Sequence, residues 1–272
     1  VVRVGDDPAS AVYVGSKVRT CEELGMTSEH RHLDAGASQE EVMAAVDEFN
    51  SRTDVDGILV QLPLPKHIDE RAILERVDPL KDVDGFHPMN SGRLMQGRES
   101  LVPCTPAGVI EILKRSSIEI AGRHAVVVGR SNIVGKPMVM LLLHENATVT
   151  VCHSRTRDLG AITRQADILV AAIGRAGFIR GEHIGDGATV IDVGINNVTD
   201  TDAVGELFPD SEAERRLKAI AERGFTLAGD VNSREAVERA AYLTPVPGGV
   251  GLLTVAMLMK NTVMAAKMRR GI

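Results

Sequence analysis

A strand–turn–helix pattern around a glycine-containing turn is the feature that most constrains how this chain can fold. The apolar, β-branched run at residues 126–128 ends in the turn 129–135, and a helical pattern follows from 138 to 144. In this context backbone N–H groups and a helix N-terminus receive a pyrophosphate. The turn departs from the usual G-x-G-x-x-G spacing, because Ser131 stands in place of the second glycine and the loop is one residue longer. The segment predicts either a nucleotide site or an ordinary βα turn.

The next strand-like run ends without the acidic residue that NAD-binding folds place on the ribose. Residues 147–152 are rich in β-branched side chains, and Ser154 and Arg155 follow them closely. A carboxylate would repel a 2′-phosphate, whereas a hydroxyl and a guanidinium bind one. Arg130 inside the turn adds a second cation. We therefore predict NADP as the cofactor rather than NAD, the alternative being that Arg155 belongs to a solvated loop.

The composition is that of an ordinary soluble globular protein. With 272 residues, the chain is long enough for about two domains that each bury a core. The net charge of −6 disfavours binding to nucleic acid or to an anionic membrane, and no apolar run reaches the roughly 20 residues that span a bilayer. The three cysteines lie far apart, which fits a reducing cytoplasm, and the scattered histidines predict no dedicated metal site.

Short apolar runs alternate with helical patterns along the chain. Ser38 and Glu41 predict a capping box at the start of a helix that runs to about residue 50. Residues 57–62 form a continuous apolar run typical of a buried parallel strand, and 211–223 predict an exposed helix. This alternation predicts an α/β fold with parallel sheets covered on both faces. We expect a domain boundary near residues 103–106, and an active site in the cleft between the two domains.

One candidate for chemistry lies on the first predicted helix. Tyr13 and Lys17 are four residues apart, so they share a helix face. A lysine near a cleft can transfer protons, and a tyrosine beside it can stack on a flat ligand. Such pairs are also common on solvent-exposed faces, so a structural role remains an alternative.

Three further candidates lie in loops and at a strand end. Gln61 closes the apolar run at 57–62, and a buried amide needs hydrogen-bond partners. Asp82 and Asp84 flank a glycine-containing turn, where simple turn chemistry is the alternative. Residues 244–251 combine prolines and glycines, so they form either a rigid wall against a flat ring or a loop before a helix.

Together these stretches resemble the methylenetetrahydrofolate dehydrogenase/methenyltetrahydrofolate cyclohydrolase family. The matching motifs follow the family's order at residues 4–10, 13–17, 57–65, 81–85, 103–106, 129–137, 190–196 and 244–251. The resemblance implies a folate-binding catalytic domain at 1–106 with the helix 252–270, and an NADP-binding, Rossmann-like domain at 107–251. It implies NADP-dependent oxidation of 5,10-methylenetetrahydrofolate and hydrolysis of the methenyl product to 10-formyltetrahydrofolate, in one-carbon metabolism and purine biosynthesis. It further implies a homodimer paired through the NADP domain that needs no metal. The cysteines and the charge separately predict a cytoplasmic protein without nucleic acid or membrane as a partner.

The resemblance also implies roles for individual residues. Lys17 would be the central catalytic group and Gln61 would hold it. Tyr13 would stack over the aminobenzoyl part of the folate, and Asp84 would accept hydrogen bonds from the pterin. Contacts to the nicotinamide or substrate are implied for Pro245 and Gly249. Contacts to the cofactor are implied for Gly129, Arg130, Ser131, Ile133, Gly135, Ser154, Arg155 and Ile195.

Two features depart from the family pattern and keep other functions open. Leu252 and Leu253 stand where the family has Pro and Met, and the charged stretch 197–224 is longer than the expected hairpin. One alternative is a protein with a single activity, and another is a catalytically silent folate- or NADP-binding module. A short-chain dehydrogenase is excluded, because there the Tyr-x-x-x-Lys pair follows the nucleotide turn, whereas here it precedes it.

Overall fold

The computed structural model describes residues 1–6 and 8–271, without the side chains of residues 8–13. The chain forms two compact units. Unit 1 comprises Val1–Cys104 and Val255–Ile272, and unit 2 comprises Thr105–Thr254. The domain limits predicted from the sequence stay a prediction.

Unit 1 is a small α/β unit. Its elements are β1 (Val2–Val4), α1 (Pro8–Glu23), β2 (Arg31–Leu33), α2 (Gln39–Ser51), α3 (Glu70–Arg76), α4 (Pro88–Met95) and most of α11 (Val250–Arg270). β1 pairs in parallel with β2, and single parallel bridges join Val2 to Val60 and Ile58 to Asp82. The segment predicted as a strand at 57–62 therefore forms only two isolated parallel bridges and not a continuous strand. Apolar side chains of β1, α2 and this segment form the core of the unit.

The N-terminal cap of α2 confirms a local prediction. The Ser38 hydroxyl accepts a hydrogen bond from Glu41 N, and the Glu41 carboxylate accepts one from Ser38 N. The reciprocal bonds satisfy two N–H groups that a helix start leaves without intrahelical partners. At the other end, the buried Lys81 Nζ donates to the carbonyl oxygens of Phe49, Asn50 and Arg52, at 2.7–2.9 Å. Lysine therefore caps the C-terminus of α2, where positive charge is favoured.

Unit 2 is a doubly wound α/β unit. Its elements are α5 (Cys104–Arg115), β3 (His124–Val128), α6 (Gly135–His144), β4 (Thr148–Cys152), α7 (Leu159–Thr163), β5 (Ile168–Ala171), β6 (Thr189–Asp192), β7 (Asn196–Val198), α8 (Asp202–Leu207), α9 (Asp210–Arg223), β8 (Thr226–Ala228), α10 (Ser233–Ala236) and β9 (Tyr242–Leu243). The five-stranded sheet has the order β4-β3-β5-β6-β9 and every pairing in it is parallel.

Both faces of this sheet are covered, as the sequence predicts. Ala125 and Val127 of β3 pack in one apolar cluster with α5 and α6, while Val126 and Val128 pack in another with α7 and α10. Successive side chains of a strand point to opposite faces, so the two clusters lie on opposite sides of the sheet. The prediction of an α/β fold with a Rossmann-like parallel sheet is confirmed.

The charged stretch 197–224 folds as a subdomain of its own rather than as a short hairpin. β7 and β8 pair antiparallel, and α8 and α9 lie between them in the chain. Val198, Val204 and Phe208 form part of a small apolar core there. The helix predicted at 211–223 forms as α9 and is mostly exposed, although it buries Arg216 and Ala219. Only a local patch of a mostly charged helix is buried, and its charged composition obscured that patch.

Helix α11 corrects two expectations from the sequence. It begins at Val250 and continues through Leu252 and Leu253, so a helix start forms here without the family's proline. It is also long and apolar enough to cross a membrane by length and composition, so the prediction that no segment is so apolar was wrong on those criteria. Its buried Asn261 donates to the carbonyl oxygens of Val83 and Val102 in unit 1, both at 2.8 Å. Through these hydrogen bonds α11 packs against the rest of unit 1.

Candidate functional site

Unit 1 brings Lys17 and Gln61 together, although they are far apart in the sequence. Lys17 Nζ, on α1, donates to Gln61 Oε1 at 3.1 Å. The Gln61 amide is oriented in turn, because its Nε2 donates to Leu62 O at 2.7 Å and its backbone N donates to Val2 O at 2.8 Å. An ammonium has three donor hydrogens, so this contact leaves others free for a substrate. The arrangement can hold a proton donor in a fixed place.

Asp84 lies at the turn that follows the bridge at Asp82 and is half-buried. Burial raises the pKa of Asp84 to about 6, although attraction by the Lys17 ammonium opposes the rise. Raised pKa values of this kind are common at functional sites, although structural groups show them too. Asp84 is therefore a carboxylate that changes charge close to neutral pH within the electrostatic reach of Lys17.

The neighbouring Asp82 has the structural role that the sequence left open. Its carboxylate is buried and accepts hydrogen bonds from Phe86 N, His87 N and Asn90 Nδ2, at 2.8–3.1 Å. All of these donors lie within eight residues, so the contacts close a local turn. Asp82 therefore builds the loop, whereas Asp84 is not used to close it.

Long-range contacts fix the backbone on both sides of Asp84. Val83 O accepts from Asn261 Nδ2 at 2.8 Å and from Cys104 Sγ at 3.3 Å. Gly85 has φ +74°, and a Cβ there would lie 2.5 Å from Pro103 N. Burial raises the pKa of the Cys104 thiol well above its usual range, so this cysteine is a packed donor and not a nucleophile. The side chain of Tyr13 lies outside the described residues.

Unit 2 has a cavity of about 450 Å³ at the carboxyl ends of β3, β4 and β5. It is lined by Val128, Gly129, Arg130, Ser131, His153, Ser154, Thr156, Leu159, Ala172, Ile173, Arg175 and Phe178. Nucleotides bind at this end of parallel strands. No carboxylate is among the described residues that line the cavity, while two arginines and three hydroxyl side chains are. The lining therefore suits a dinucleotide with an additional phosphate.

The glycine turn has the close backbone approach that such a cofactor needs. Gly129 has φ +137°, and a Cβ there would lie 2.1 Å from Ala172 O. A Cβ on Gly135 would lie 2.5 Å from Gly129 O, so the start of α6 packs directly on the turn. Ser131, which replaces the usual second glycine, accepts hydrogen bonds from Val134 N and Gly135 N at 3.2 Å. The Ser131 hydroxyl thus satisfies two backbone N–H groups at the start of α6.

The cavity contains part of the cofactor set predicted from the sequence and adds residues that the sequence analysis missed. Gly129, Arg130, Ser131 and Ser154 line it, whereas Ile133, Gly135, Arg155 and Ile195 do not. The main addition is Arg175, whose guanidinium carbon lies 4.5 Å from the centre of the Phe178 ring. Arg175 follows β5, the neighbour of β3 in the sheet, so the rule that ligands bind at carboxyl ends of adjacent strands was a usable signal.

Two buried aspartates hold the loops around this end of the sheet. The Asp230 carboxylate accepts hydrogen bonds from the consecutive backbone N–H groups of residues 173–175. The Asp192 carboxylate accepts from Gly194 N, Asp230 N and Val231 N, at 2.8–3.0 Å. Burial raises the pKa of Asp192 to about 7. These carboxylates fix the backbone that carries Arg175.

The proline- and glycine-rich loop 244–249 is tightly folded. A Cβ on Gly249 would lie 2.6 Å from Pro245 O, so only glycine allows this turn. Thr244 Oγ1 accepts from Asp192 N at 2.8 Å, which ties the loop to β6. Ile195 lies beside the start of α11, 3.8 Å from a Cβ placed on Gly251. Across the described part of the chain, no group of three or more His, Cys, Asp or Glu residues could hold a metal ion.

Comparison with known proteins places this geometry among folate enzymes. The family model of the tetrahydrofolate dehydrogenase/cyclohydrolase catalytic domain matches residues 1–84, and that of the NAD(P)-binding domain matches residues 103–270. The "Bifunctional protein FolD" of Koribacter versatilis is 56% identical over 271 residues, which cover 100% of this chain and 87% of that protein.

Two solved structures show the same similarity in three dimensions. The bifunctional FolD methylenetetrahydrofolate dehydrogenase/cyclohydrolase of Campylobacter jejuni has a TM-score of 0.87 and 44% identity, over 98% of this chain and 87% of that one. The Trypanosoma brucei FolD, solved with NADP cofactor and inhibitor, has a TM-score of 0.85 and 40% identity, over 98% of this chain and 85% of that one.

Proposed function

The chain belongs to the tetrahydrofolate dehydrogenase/cyclohydrolase family, and from this membership we infer its activity and the residues that carry it. It is a bifunctional enzyme that oxidises 5,10-methylenetetrahydrofolate to 5,10-methenyltetrahydrofolate with NADP, and hydrolyses the product to 10-formyltetrahydrofolate. The observation that supports the residue assignment best is the Lys17–Gln61 contact, because it fixes a proton donor in the unit that matches the catalytic-domain model.

Lys17 is the acid–base group of the cyclohydrolase step in this proposal. Hydrolysis of the methenyl bridge needs proton transfers as water adds to the bridging carbon and the ring opens. Gln61 Oε1 holds the ammonium through one hydrogen, which leaves the others to face the reacting nitrogen and the incoming water. Gln61 is therefore a positioning residue, because its own amide is fixed by Leu62 O.

Asp84 and Tyr13 bind the folate in this proposal. A pterin presents an amino group and a ring N–H side by side, and a carboxylate is the acceptor that matches such a donor pair. The half-buried Asp84 carboxylate, with its backbone anchored on both sides, suits that role. Tyr13 stacks over the aminobenzoyl ring. Pro245 and Gly249 form a wall beside the substrate or the nicotinamide.

The cofactor assignments rest on the unit 2 cavity. Bound NADP supplies the hydride acceptor. The turn 129–135 approaches the pyrophosphate, and the Ser131 hydroxyl, which accepts from two backbone N–H groups, has its own proton free to donate to a phosphate oxygen. Arg130 and Ser154 read the 2′-phosphate, and Arg175 joins them from the end of β5. The same assignment proposes contacts for Ile133, Gly135, Arg155 and Ile195.

We also propose that the enzyme works as a cytoplasmic homodimer, without nucleic acid or membrane as a partner. Strand β4 forms one edge of the unit 2 sheet, and Val151 and Leu143 near it are 40% and 53% exposed. A five-residue edge strand flanked by apolar side chains favours pairing with another chain. The net charge of −6 does not favour polyanions or anionic membranes.

The first experiment measures the two half-reactions separately on the purified protein. Methenyltetrahydrofolate formation is followed with NADP and with NAD in parallel, and hydrolysis is followed from supplied methenyltetrahydrofolate. We expect both activities, with much lower oxidation with NAD. Hydrolysis without oxidation would limit the protein to a cyclohydrolase. Neither activity in a folded protein would leave a folate- or NADP-binding module. Equal rates of oxidation with both cofactors would refute the assignment of Arg130, Ser154 and Arg175 to the 2′-phosphate.

A further inference from the structure

Arg216 is a buried charged residue in the charged stretch 197–224. It lies on α9, and its side chain is 7% exposed, whereas that of its neighbour Arg215 is 67% exposed. A buried guanidinium is costly unless its donors are satisfied. The Arg216 guanidinium meets this requirement through partners from three separate segments of unit 2.

The partners of Arg216 connect the stretch 197–224 to the loop 244–249. Nε and Nη2 donate to the Glu212 carboxylate at 3.0 and 2.6 Å, and Nη1 donates to Leu227 O at 2.8 Å. Nη2 also donates to Val246 O at 2.8 Å. The guanidinium carbon lies 4.2 Å from the centre of the Phe208 ring, which fixes the plane of the group.

Glu212 keeps this guanidinium in place. Burial alone would raise the pKa of Glu212, but hydrogen bonds from Arg216 and Arg215 outweigh burial and lower the pKa. The carboxylate therefore stays ionised at neutral pH. Arg215 shares this partner at 2.7 Å but points to solvent, and its hydrogen bond is to Glu212 alone among the described contacts.

The contact at Val246 falls in the middle of the loop. The other hydrogen bonds described for this segment lie at its ends, where Thr244 joins Val190 and Asp192, and Leu252 N donates to Gly249 O. A carbonyl oxygen lies in the plane of its own peptide unit, so holding Val246 O fixes the Val246–Pro247 peptide plane. That plane belongs to the wall that Pro245 and Gly249 form.

We propose that Arg216 is a positioning residue for hydride transfer, through which the stretch 197–224 holds the loop 244–249 against the nicotinamide and the folate bridge. This inference rests on the proposed function, because it takes the loop as the wall beside the reacting groups. Misplacing reacting groups by about 1 Å can lower a rate by up to about a hundredfold. Arg216 therefore sets the ratio of dehydrogenase to cyclohydrolase activity, since only the first requires the nicotinamide to be aligned.

The test compares Arg216→Met and Arg216→Lys with the matched control Arg215→Met in the full chain. Each protein is assayed for kcat and KM of NADP-dependent oxidation, for hydrolysis of methenyltetrahydrofolate, and for binding of 2′,5′-ADP by calorimetry. We expect Arg216→Met to lower the dehydrogenase kcat by about tenfold or more and hydrolysis by less than about threefold. The affinity for 2′,5′-ADP should stay unchanged, because the cavity at 128–178 contains none of these residues. Lysine should restore part of kcat, because it keeps the charge but cannot reach all three partners.

The outcomes separate a positioning role from a structural one. An Arg216→Met protein that loses 2′,5′-ADP binding together with both activities would show a merely structural role, and so would overturn the inference. The variant Glu212→Gln, which keeps the Arg216 guanidinium but holds it less firmly, gives a second test. If the role of Arg216 is merely structural, this variant should leave the ratio of dehydrogenase to cyclohydrolase activity unchanged. A normal ratio in a folded Arg216→Met protein would overturn the inference alone. Absence of oxidation by the wild-type chain would overturn the proposed function, and the inference with it.

Discussion

At the scale of single residues, the aspartates at 82 and 84 differ in role because they differ in hydrogen-bond partners. Asp82 is saturated by local donors, so its carboxylate closes a turn. Asp84 lies two residues further on, where the Lys17 ammonium opposes the rise in its pKa that burial causes. The local pattern of two carboxylates near a glycine does not separate them, because only the folded backbone decides which one finds donors, and it is the family resemblance that singles out Asp84.

Replacing Lys17 should separate chemistry from binding. We expect Lys17→Met to lower cyclohydrolase kcat by about a hundredfold to ten-thousandfold, the usual contribution of a positioned acid–base group. Gln61→Leu should lower it by a smaller factor, about tenfold, because the ammonium remains but loses its acceptor. Folate binding, measured by fluorescence titration, should persist in both variants. Arg19→Met, an exposed change on the same helix, is the control. Full hydrolysis by Lys17→Met would remove lysine from the mechanism.

Activity should follow the ionisation of Asp84. Burial raises its pKa to about 6, and only the ionised carboxylate can accept both pterin N–H groups. We expect kcat/KM for oxidation to fall about tenfold per pH unit below pH 6. In Asp84→Asn the rate should be low and nearly independent of pH across the same range. A wild-type profile that stays flat down to pH 5 would rule out Asp84 as the group that titrates.

The stability of the fold should change with pH in the opposite direction at this group. The folded pKa lies above the unfolded value, so the folded state holds the proton more tightly. The contribution of Asp84 to the unfolding free energy is therefore fully present below about pH 4 and is lost as the pH rises to about 6. The active form of Asp84 is thus the less stable one, as expected for a group retained for function.

Arg175 should contribute to recognition of the 2′-phosphate. A hydrogen bond to a charged group contributes about 1.5–3 kcal/mol, so we expect Arg175→Gln to weaken 2′,5′-ADP binding by about tenfold or more. NAD binding should change by less than about threefold, because NAD lacks that phosphate. Arg180→Gln, an exposed arginine outside the cavity, is the control. Equal losses of NAD and 2′,5′-ADP affinity would place Arg175 at the 5′-phosphate of the adenosine, which both ligands carry, instead.

At the scale of elements, the sequence predicts secondary structure and helix caps, which depend on local patterns. It does not predict hydrogen bonds between segments that are distant in the chain. The strand–turn–helix at 126–144 and the capping box at Ser38 follow from local patterns, and both form. The bonds from residues 173–175 to Asp230, and from Arg216 to Val246, join segments about 30 to 57 residues apart. Periodicity shows which face of an element is buried. It does not show which side chain from another element lies against it.

Helix α2 illustrates such a long-range contact with a measurable energy. Lys81 Nζ donates to three carbonyl oxygens at its C-terminal end, and its side chain is buried. We expect Lys81→Met to reduce the free energy of unfolding by roughly 2–4 kcal/mol, because buried carbonyls lose a charged donor. Arg76→Met removes an exposed pair with Asp47, which solvent screens, and should lower the stability much less. Urea denaturation measures both. Equal losses would mean that the buried cap contributes no more than a surface pair.

At the scale of the whole molecule, the proposed function assigns different parts of the chemistry to the two units. Unit 1 holds Lys17 on α1 together with Gln61 and Asp84, and unit 2 holds the glycine turn and its cavity on a five-stranded sheet. The resemblance of the motifs to the family implies this division of roles. Which arginines line the cavity was predicted only in part, since Arg175 is brought to it by β5 and Asp230.

The oligomeric state should depend on the exposed edge of the unit 2 sheet. β4 is the outer strand, and Val151 on it is 40% exposed. A charge at an edge strand prevents pairing with another edge. We expect light scattering to give the wild-type chain twice the 29.1 kDa of one copy, and to give Val151→Lys a mass close to one copy at micromolar concentration. Val237→Lys adds the same charge to an exposed site away from this edge and should remain a dimer. A dimer that survives Val151→Lys would place the contact on another surface, and a monomeric wild-type chain would refute pairing through unit 2 altogether.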